Sequence, residues 1–340
     1  MTASATRVST PEEIAARQLS EAAQILFPDI GSLFRERSVR LRQLAAAHPM
    51  RDFLIFMADV SQAQHEVLQS PFAGDALVPS QEALGDAARN GVAPLAPDLY
   101  RRDPAWQMGL QQLVGTLKER HASAPVADVL AQLQAMSTEE IDRQADRLLA
   151  GIQLGLDMAC APLIGAALQV YWSRAVNATQ SQHPDLAFGR VDKATLCPCC
   201  GSRPVASILR LGIHDTATRY LHCALCQSQW HMVRIQCTHC ESPRKVFYQE
   251  LEEETPSNGI ASVLQPKGAV RAECCDDCGH YLKIVSMEKD SYVDPVADDL
   301  ASVSLDLLVS ETGMQRHGLN FMLLFGQPEE ETADGTQGSS

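Results

Sequence analysis

The chain is short of positive charge. Its 340 residues hold 28 Lys and Arg against 42 Asp and Glu, a net charge of −14 with His neutral. Proteins that bind nucleic acid in general cover phosphate with Lys and Arg, so this balance argues against that class. Long apolar runs are also missing. The longest, Met158 to Leu168, is interrupted by Pro162 and falls far below the roughly 20 residues that a membrane-spanning helix needs. Met1 to Pro11 is polar and shows no apolar stretch of the kind found in a signal peptide, so export is not expected. There is no Ser/His/Asp set, no phosphate loop and no Rossmann glycine pattern. A hydrolase or transferase therefore has the least support, and the chain is expected not to be an enzyme.

What is abundant is cysteine, in one place. Ten of the eleven cysteines lie in residues 197–278, and eight of them form four Cys-x-x-Cys pairs. These are Cys197/Cys200, Cys223/Cys226, Cys237/Cys240 and Cys275/Cys278. A Cys-x-x-Cys turn lets two thiolates grip one ion, and two such turns complete a tetrahedral four-sulfur site. Four pairs imply two metal sites. Two disulfide clusters would need an oxidising compartment, and without an export signal reduced thiols in a cytoplasm are expected.

The simplest pairing is sequential. Cys197, Cys200, Cys223 and Cys226 form one site, with 22 residues between their turns. Cys237, Cys240, Cys275 and Cys278 form the other, with 34 between. An interleaved, cross-braced pairing is the alternative. Gly201 and Gly279 follow the second ligand of the outer turns, where a positive φ lets backbone N–H groups face sulfur. Cys199 and Cys274 are left over and read as incidental thiols, the alternative being reactive or ligand-exchanging thiols. Cys160 reads as an inert core thiol. His222, His231 and His239 sit beside ligands and read as surface or outer-shell groups, since eight cysteines already complete two sites.

Along the chain, residues 1–20 read as a flexible leader, and 21–185 as an α-helical domain. Helices are expected over Val39–Ala47, Phe53–Leu68, Gln81–Asn90, Trp106–His121, Val126–Met136 and Asp157–Asn177. Ser137 and Glu140 form a capping box for another from Thr138 to about Ala150. Residues 186–236 read as a first four-cysteine ribbon and 237–290 as a second. Their strands are expected over Val205–Leu211, Thr218–His222, Gln229–Ile235, Lys245–Leu251, Ala269–Ala272 and Tyr281–Met287. Asp294-Pro295 then opens one C-terminal helix running to about Glu311, within a packing segment over 291–326. Residues 327–340 read as a disordered acidic tail. The fold class is α+β: an all-helical N-terminal domain, two tandem rubredoxin-like or zinc-ribbon-like four-cysteine metal modules, and a C-terminal helix. Small ribbons bury little apolar surface, so losing a ligand such as Cys223 is expected to unfold the first ribbon and spare the helical domain.

Charge is uneven. From Cys197 to Lys245, six basic residues meet two acidic ones. This basic island, centred on Arg219 and Arg234, is a candidate contact for an acidic partner, or else a solvated face.

Several stretches resemble one family. They are Cys197-Pro-x-Cys-Gly-Ser-x-Pro, Arg219-Tyr-Leu-His-Cys-x-Leu-Cys, Trp230-His-x-Val-Arg, Cys275-Asp-Asp-Cys-Gly, Tyr281-Leu-Lys-Ile and Val296-Ala-Asp-Asp-Leu-Ala-Ser. Together they resemble the formate dehydrogenase accessory protein (FdhE) family, closely over about 190–310 and in general character before that. The resemblance implies a cytoplasmic protein needed for active formate dehydrogenase. It also implies iron at rubredoxin-like cysteine sites, zinc being the alternative, and contact with the catalytic subunit of the dehydrogenase. The competing readings are a rubredoxin-type electron carrier and a zinc-ribbon nucleic-acid binder.

Overall fold

The computed structural model describes residues 23–71, 77–121, 126–186, 188–189, 191–211, 217–251 and 267–324. The expected leader over 1–20 and acidic tail over 327–340 lie outside the described residues.

Seven helices precede the first cysteine pair among the described residues: α1 (Leu33–Ala45), α2 (Arg51–Gln69), α3 (Gln81–Arg89), α4 (Trp106–Arg120), α5 (Val126–Ala135), α6 (Thr138–Ala150) and α7 (Ala161–Gln182). Local chemistry sets several ends. The Ser137 hydroxyl accepts from the Glu140 N–H at 3.2 Å to start α6, and Gly151 stops it in the left-handed region at φ 70°. Ser80 starts α3 in the same way. Helix α7 begins later than expected because Asp157 forms its own turn, accepting from the N–H groups of Ala159 and Cys160. α7 is the central helix, packed by α2, α4 and α6. Its Leu163, Ile164, Leu168, Tyr171, Trp172 and Val176 are all buried. Gly165 lets the chain near 321 approach; a Cβ there would lie 2.7 Å from Phe321.

The remaining strands are β1 (Ile25–Leu26), β2 (Pro204–Leu211), β3 (Ala217–Cys223), β4 (Gln229–His231), β5 (Val246–Gln249), β6 (Val270–Cys275), β7 (His280–Ser286) and β8 (Gln315–Arg316). Among the described residues they form an eight-stranded sheet in the order β1-β4-β3-β2-β7-β6-β5, with β8 added against β7. The two ribbons, β2-β3-β4 and β5-β6-β7, are each antiparallel. They join through a parallel pairing of β2 with β7, Ser207 opposite Ile284 and Leu209 opposite Ser286. The cysteine ribbons are thus two halves of one sheet.

The first ribbon also shares its core with the helices. Cys197, Cys200, Cys223, Cys226, Val205 and Leu221 pack in the same buried cluster as Leu54, Leu113, Ile164 and Trp172. Trp172 donates to the Leu95 carbonyl, Leu95 N–H donates to the Cys199 carbonyl, and Gln169 donates to the Ala224 carbonyl. The independence expected of the first ribbon is therefore absent.

The expected single C-terminal helix is two: α8 (Pro295–Ala301) and α9 (Val303–Glu311). The break at Ser302 has a cause. Lys283 of β7 inserts its ammonium there and donates to the carbonyls of Asp299 and Ser302 and to the Ser302 hydroxyl, at 2.9–3.0 Å. Asp294 caps α8, accepting from Val296 and Ala297 N–H. The α8 carboxylates then tie the two parts of the fold together. Arg37 and Arg40 of α1 reach Asp294 and Asp298, while Arg316 and Lys283 surround Asp299 and Asp306. Most of these side chains are out of solvent. Such networks specify an arrangement, and breaking one leaves a buried charge uncompensated.

Candidate metal centre

Two sulfur quartets form, each from two turns. The sulfurs of Cys197, Cys200, Cys223 and Cys226 lie within 4.8 Å of one another, and so do those of Cys237, Cys240, Cys275 and Cys278. This is the sequential arrangement. Three of the four turns share a wiring. The N–H of the first cysteine donates to a serine carbonyl five residues on: Cys197 to Ser202, Cys223 to Ser228 and Cys237 to Ser242, at 2.9–3.0 Å. The residue after the second cysteine takes a positive φ in all four turns: Gly201, Gln227, Glu241 and Gly279, at 60–69°. Backbone N–H groups of Leu225 and Cys226 point at the Cys223 sulfur, both at 3.3 Å, and that of His239 at Cys237, at 3.4 Å. These donors stabilise negative sulfur.

The donor sets fit a tetrahedral ion. A metal–sulfur bond near 2.3 Å puts sulfurs about 3.8 Å apart. The second quartet shows 3.7 Å for Cys237 to Cys278 and 3.8 Å for Cys240 to Cys275. The first is tighter, at 3.5 Å for Cys197 to Cys226 and 3.4 Å for Cys200 to Cys223. All eleven cysteines are free thiols. Burial pushes the Cys197, Cys200 and Cys223 thiols up. Cys226 goes the other way: burial raises it, but hydrogen bonds from the surrounding thiols outweigh that and hold it down. A cation that takes thiolate ligands expels the protons that buried thiols hold.

The quartets differ in access. All four cysteines of the first are buried, whereas Cys240 of the second is exposed and Cys278 half-buried. The first quartet borders a cleft of about 890 Å³ lined in part by Cys197, Cys200, Pro97, Leu99, Asp146 and Leu149.

The other singled-out residues fall into place. Cys199 is fully buried under the first turn. Cys274 points away from the second quartet, onto Tyr281, Leu305 and Val309, and burial pushes its thiol up to about 12. Cys160 is a core thiol, also raised to about 12 by burial. Arg219 is not a partner contact. It is 1% exposed, pairs with buried Glu273, and donates to the carbonyls of Val233 and Gln236. A guanidinium with five donors closes the loop between the quartets from inside, so the basic island loses its centre. Arg234 is exposed, on the outer side of that loop. His222 is buried and neutral. Its Nε2 lies 3.1 Å from Gln227 Oε1 and its Nδ1 accepts from Gln229 Nε2 at 3.2 Å. Burial, then the Arg37 charge, lowers it to about 4.

Comparison with known proteins agrees with this architecture. Family models described as FdhE, N-terminal, FdhE, central domain, and FdhE, C-terminal domain match residues 22–185, 196–234 and 235–323. A protein called Protein FdhE homolog from Edwardsiella ictaluri is 38% identical over 327 residues, 94% of this chain and 99% of that protein. The chain belongs to the FdhE family. Protein FdhE from Escherichia coli O9:H4 is 36% identical over 90% of this chain and 92% of its own length. The crystal structure of the FdhE protein from Pseudomonas aeruginosa matches with a TM-score of 0.78 at 36% identity. It covers 90% of this chain and 100% of that one.

Within this FdhE chain, two features escaped sequence reasoning. The α8 carboxylates Asp298 and Asp299 are interior charges, Asp298 paired with Arg40 of α1 and Asp299 with Lys283 and Arg316, and one sequence carries no sign of such pairing. The serine five residues after the first cysteine in three turns was a readable repeat. In the fourth turn His280 stands in its place, and three imidazoles gather there. His239 and His280 stack at 3.7 Å and 8° between ring planes, and His317 meets His239 edge-on at 5.1 Å.

Proposed function

We propose that the chain is a formate dehydrogenase accessory protein that holds two metal ions, iron favoured and zinc the alternative. It binds the catalytic subunit of the dehydrogenase in the cytoplasm and leaves the finished enzyme. The single observation that carries this reading is a pair of four-sulfur clusters on an FdhE-family chain. Cys197, Cys200, Cys223 and Cys226 hold the first ion; Cys237, Cys240, Cys275 and Cys278 hold the second. Either metal accepts four thiolates in a tetrahedron. The chain's own residues supply the folded turns, the N–H donors to sulfur and a rigid base for the client. Among the described residues no helix is long and apolar enough to cross a membrane. The client surface includes exposed Arg234, where a positive side chain speeds encounter with an acidic patch.

The test is gene deletion with complementation. Formate dehydrogenase activity disappears in the deletion strain and returns with the wild-type chain, but returns poorly with Cys237→Ser or Cys275→Ser. Normal activity in the deletion strain, with no second copy of the gene, rejects the proposal. A rubredoxin-type electron carrier is the second reading, favoured by exposed Cys240, which brings the second cluster to the surface. It predicts reversible one-electron reduction of the bound iron with no stable complex with the dehydrogenase.

A further inference from the structure

The second quartet has a neighbour. Ring nitrogens of His239 and His280 and the sulfur of Cys278 all lie within 4.8 Å of one another, and none of the three residues is buried. The two imidazoles arrive from different turns, His239 from between Cys237 and Cys240 and His280 from the start of β7. Their rings stack almost parallel at 3.7 Å. Two nitrogens on a tetrahedral ion, bound at about 2.0–2.1 Å, stand about 3.3 Å apart, and each ring binds in its own plane, so the stacked imidazoles must rotate out of parallel until their nitrogens face one ion.

The tautomer is set for coordination. His280 Nδ1 lies 2.8 Å from the Cys278 carbonyl, which can only accept, so Nδ1 carries the proton and Nε2 presents a lone pair. Metal-bound histidines are oriented in this way, the second ring nitrogen donating to a carbonyl or carboxylate. Behind the pair lies His317, only 8% exposed, whose Nε2 has no hydrogen-bond partner among the described residues. A buried polar atom without a partner is unfavourable, and a ligand supplies what is missing. The other turns put a serine where this one has His280, so the imidazoles belong to the second quartet alone.

We propose that His239, His280 and Cys278 form a third metal site for a borderline divalent cation such as Zn2+, Co2+ or Fe2+, sharing the Cys278 sulfur with the second quartet. The inference rests on Cys278 being a thiolate ligand there, as proposed above. A thiolate sulfur bound to one ion keeps lone pairs and bridges to a second without losing another proton. Three protein ligands leave a coordination position open toward solvent or toward His317. Imidazole donors suit borderline cations and leave Mg2+ and Ca2+ to oxygen sites.

The experiment is an anaerobic Co2+ titration of the tag-free, metal-stripped full-length chain, followed by thiolate charge-transfer and d–d absorption. The expected result is two equivalents with the four-thiolate spectrum, then a third that adds weaker d–d bands. His239→Ala and His280→Ala each end the titration at two equivalents with the four-thiolate spectrum unchanged. His239 is exposed, so its variant decides the matter if His280→Ala disturbs the strand by circular dichroism. Saturation of the wild type at two equivalents, or a third that persists in His239→Ala, overturns the third site. Absence of the four-thiolate bands altogether would instead contradict the metal reading of the quartets.

Discussion

Arg219 of β3 and Glu273 of β6 face each other inside the sheet, with side chains 0% and 2% exposed, one from each cysteine ribbon. Arg219 also donates to Ser207 Oγ of β2, at 3.1–3.2 Å. The two ribbons are therefore locked by a charge pair as well as by the β2–β7 ladder. Arg219→Ala leaves Glu273 buried without its cation and should cost about 3–5 kcal/mol in urea unfolding. The double variant Arg219→Met, Glu273→Leu should recover most of that. A loss under 1 kcal/mol in the single variant would show that the pair is not closed in solution. Arg234→Ala, on the surface, should stay within about 0.5 kcal/mol of wild type.

The αL positions after the second ligands give a contrasting pair. A non-glycine residue in that region costs roughly 1–2 kcal/mol. Glu241, at φ 60°, is exposed, so Glu241→Gly should stabilise the second ribbon by about 1 kcal/mol in thermal melts. Gln227, at φ 65°, accepts from Arg37 and donates to the Ala224 carbonyl through its side chain. Gln227→Gly should therefore destabilise despite the same relief of backbone strain. Equal effects from the two substitutions would refute this account of the turns.

Acid sensitivity follows from His222. Its folded pKa is lowered to about 4 from 6.5 by burial and Arg37. The unfolded chain binds the proton first as pH falls, so the contribution is fully present above 6.5 and is lost progressively as pH drops toward 4. The total is about 3 kcal/mol at 1.36 kcal/mol per pH unit. His222→Gln should flatten the dependence of unfolding free energy on pH between 7 and 5, at fixed metal loading. An unchanged slope would assign the acid sensitivity to other groups.

The two quartets should part company under a chelator. The first is enclosed by α7 and β2 side chains, the second opens at Cys240. Chelator should remove metal in two phases, the fast one abolished by Cys240→Ser. Cys223→Ser should lower the melting of helices and sheet together, since Cys223 shares a core with Ile164 and Trp172. A transition in which the helices melt at their wild-type temperature would contradict that shared core.

Much of this was legible in the sequence because it is local. Ser137 and Glu140 marked α6, Asp294-Pro295 marked α8, and the Cys-x-x-Cys turns marked the cysteines that gather into two quartets and their order. What was not legible is long-range. Lys283 breaks the C-terminal helix at Ser302 from the strand before it, and nothing in the 295–311 pattern carries that break. Arg219 looked like surface charge because composition says nothing of Glu273 opposite it. The three-histidine group is assembled from a turn, a strand start and the segment after β8, so only folding brings it together.

We propose that this FdhE-family chain holds metal in two four-thiolate sites. Elemental analysis with a visible spectrum of anaerobically purified, desalted protein tests it most directly. The account predicts two tightly held ions per chain, with the thiolate-to-iron absorption of a rubredoxin-like centre when the metal is iron. Cys223→Ser and Cys275→Ser should each retain one. A protein that folds normally with no bound metal, or whose metal survives both substitutions together, would contradict it.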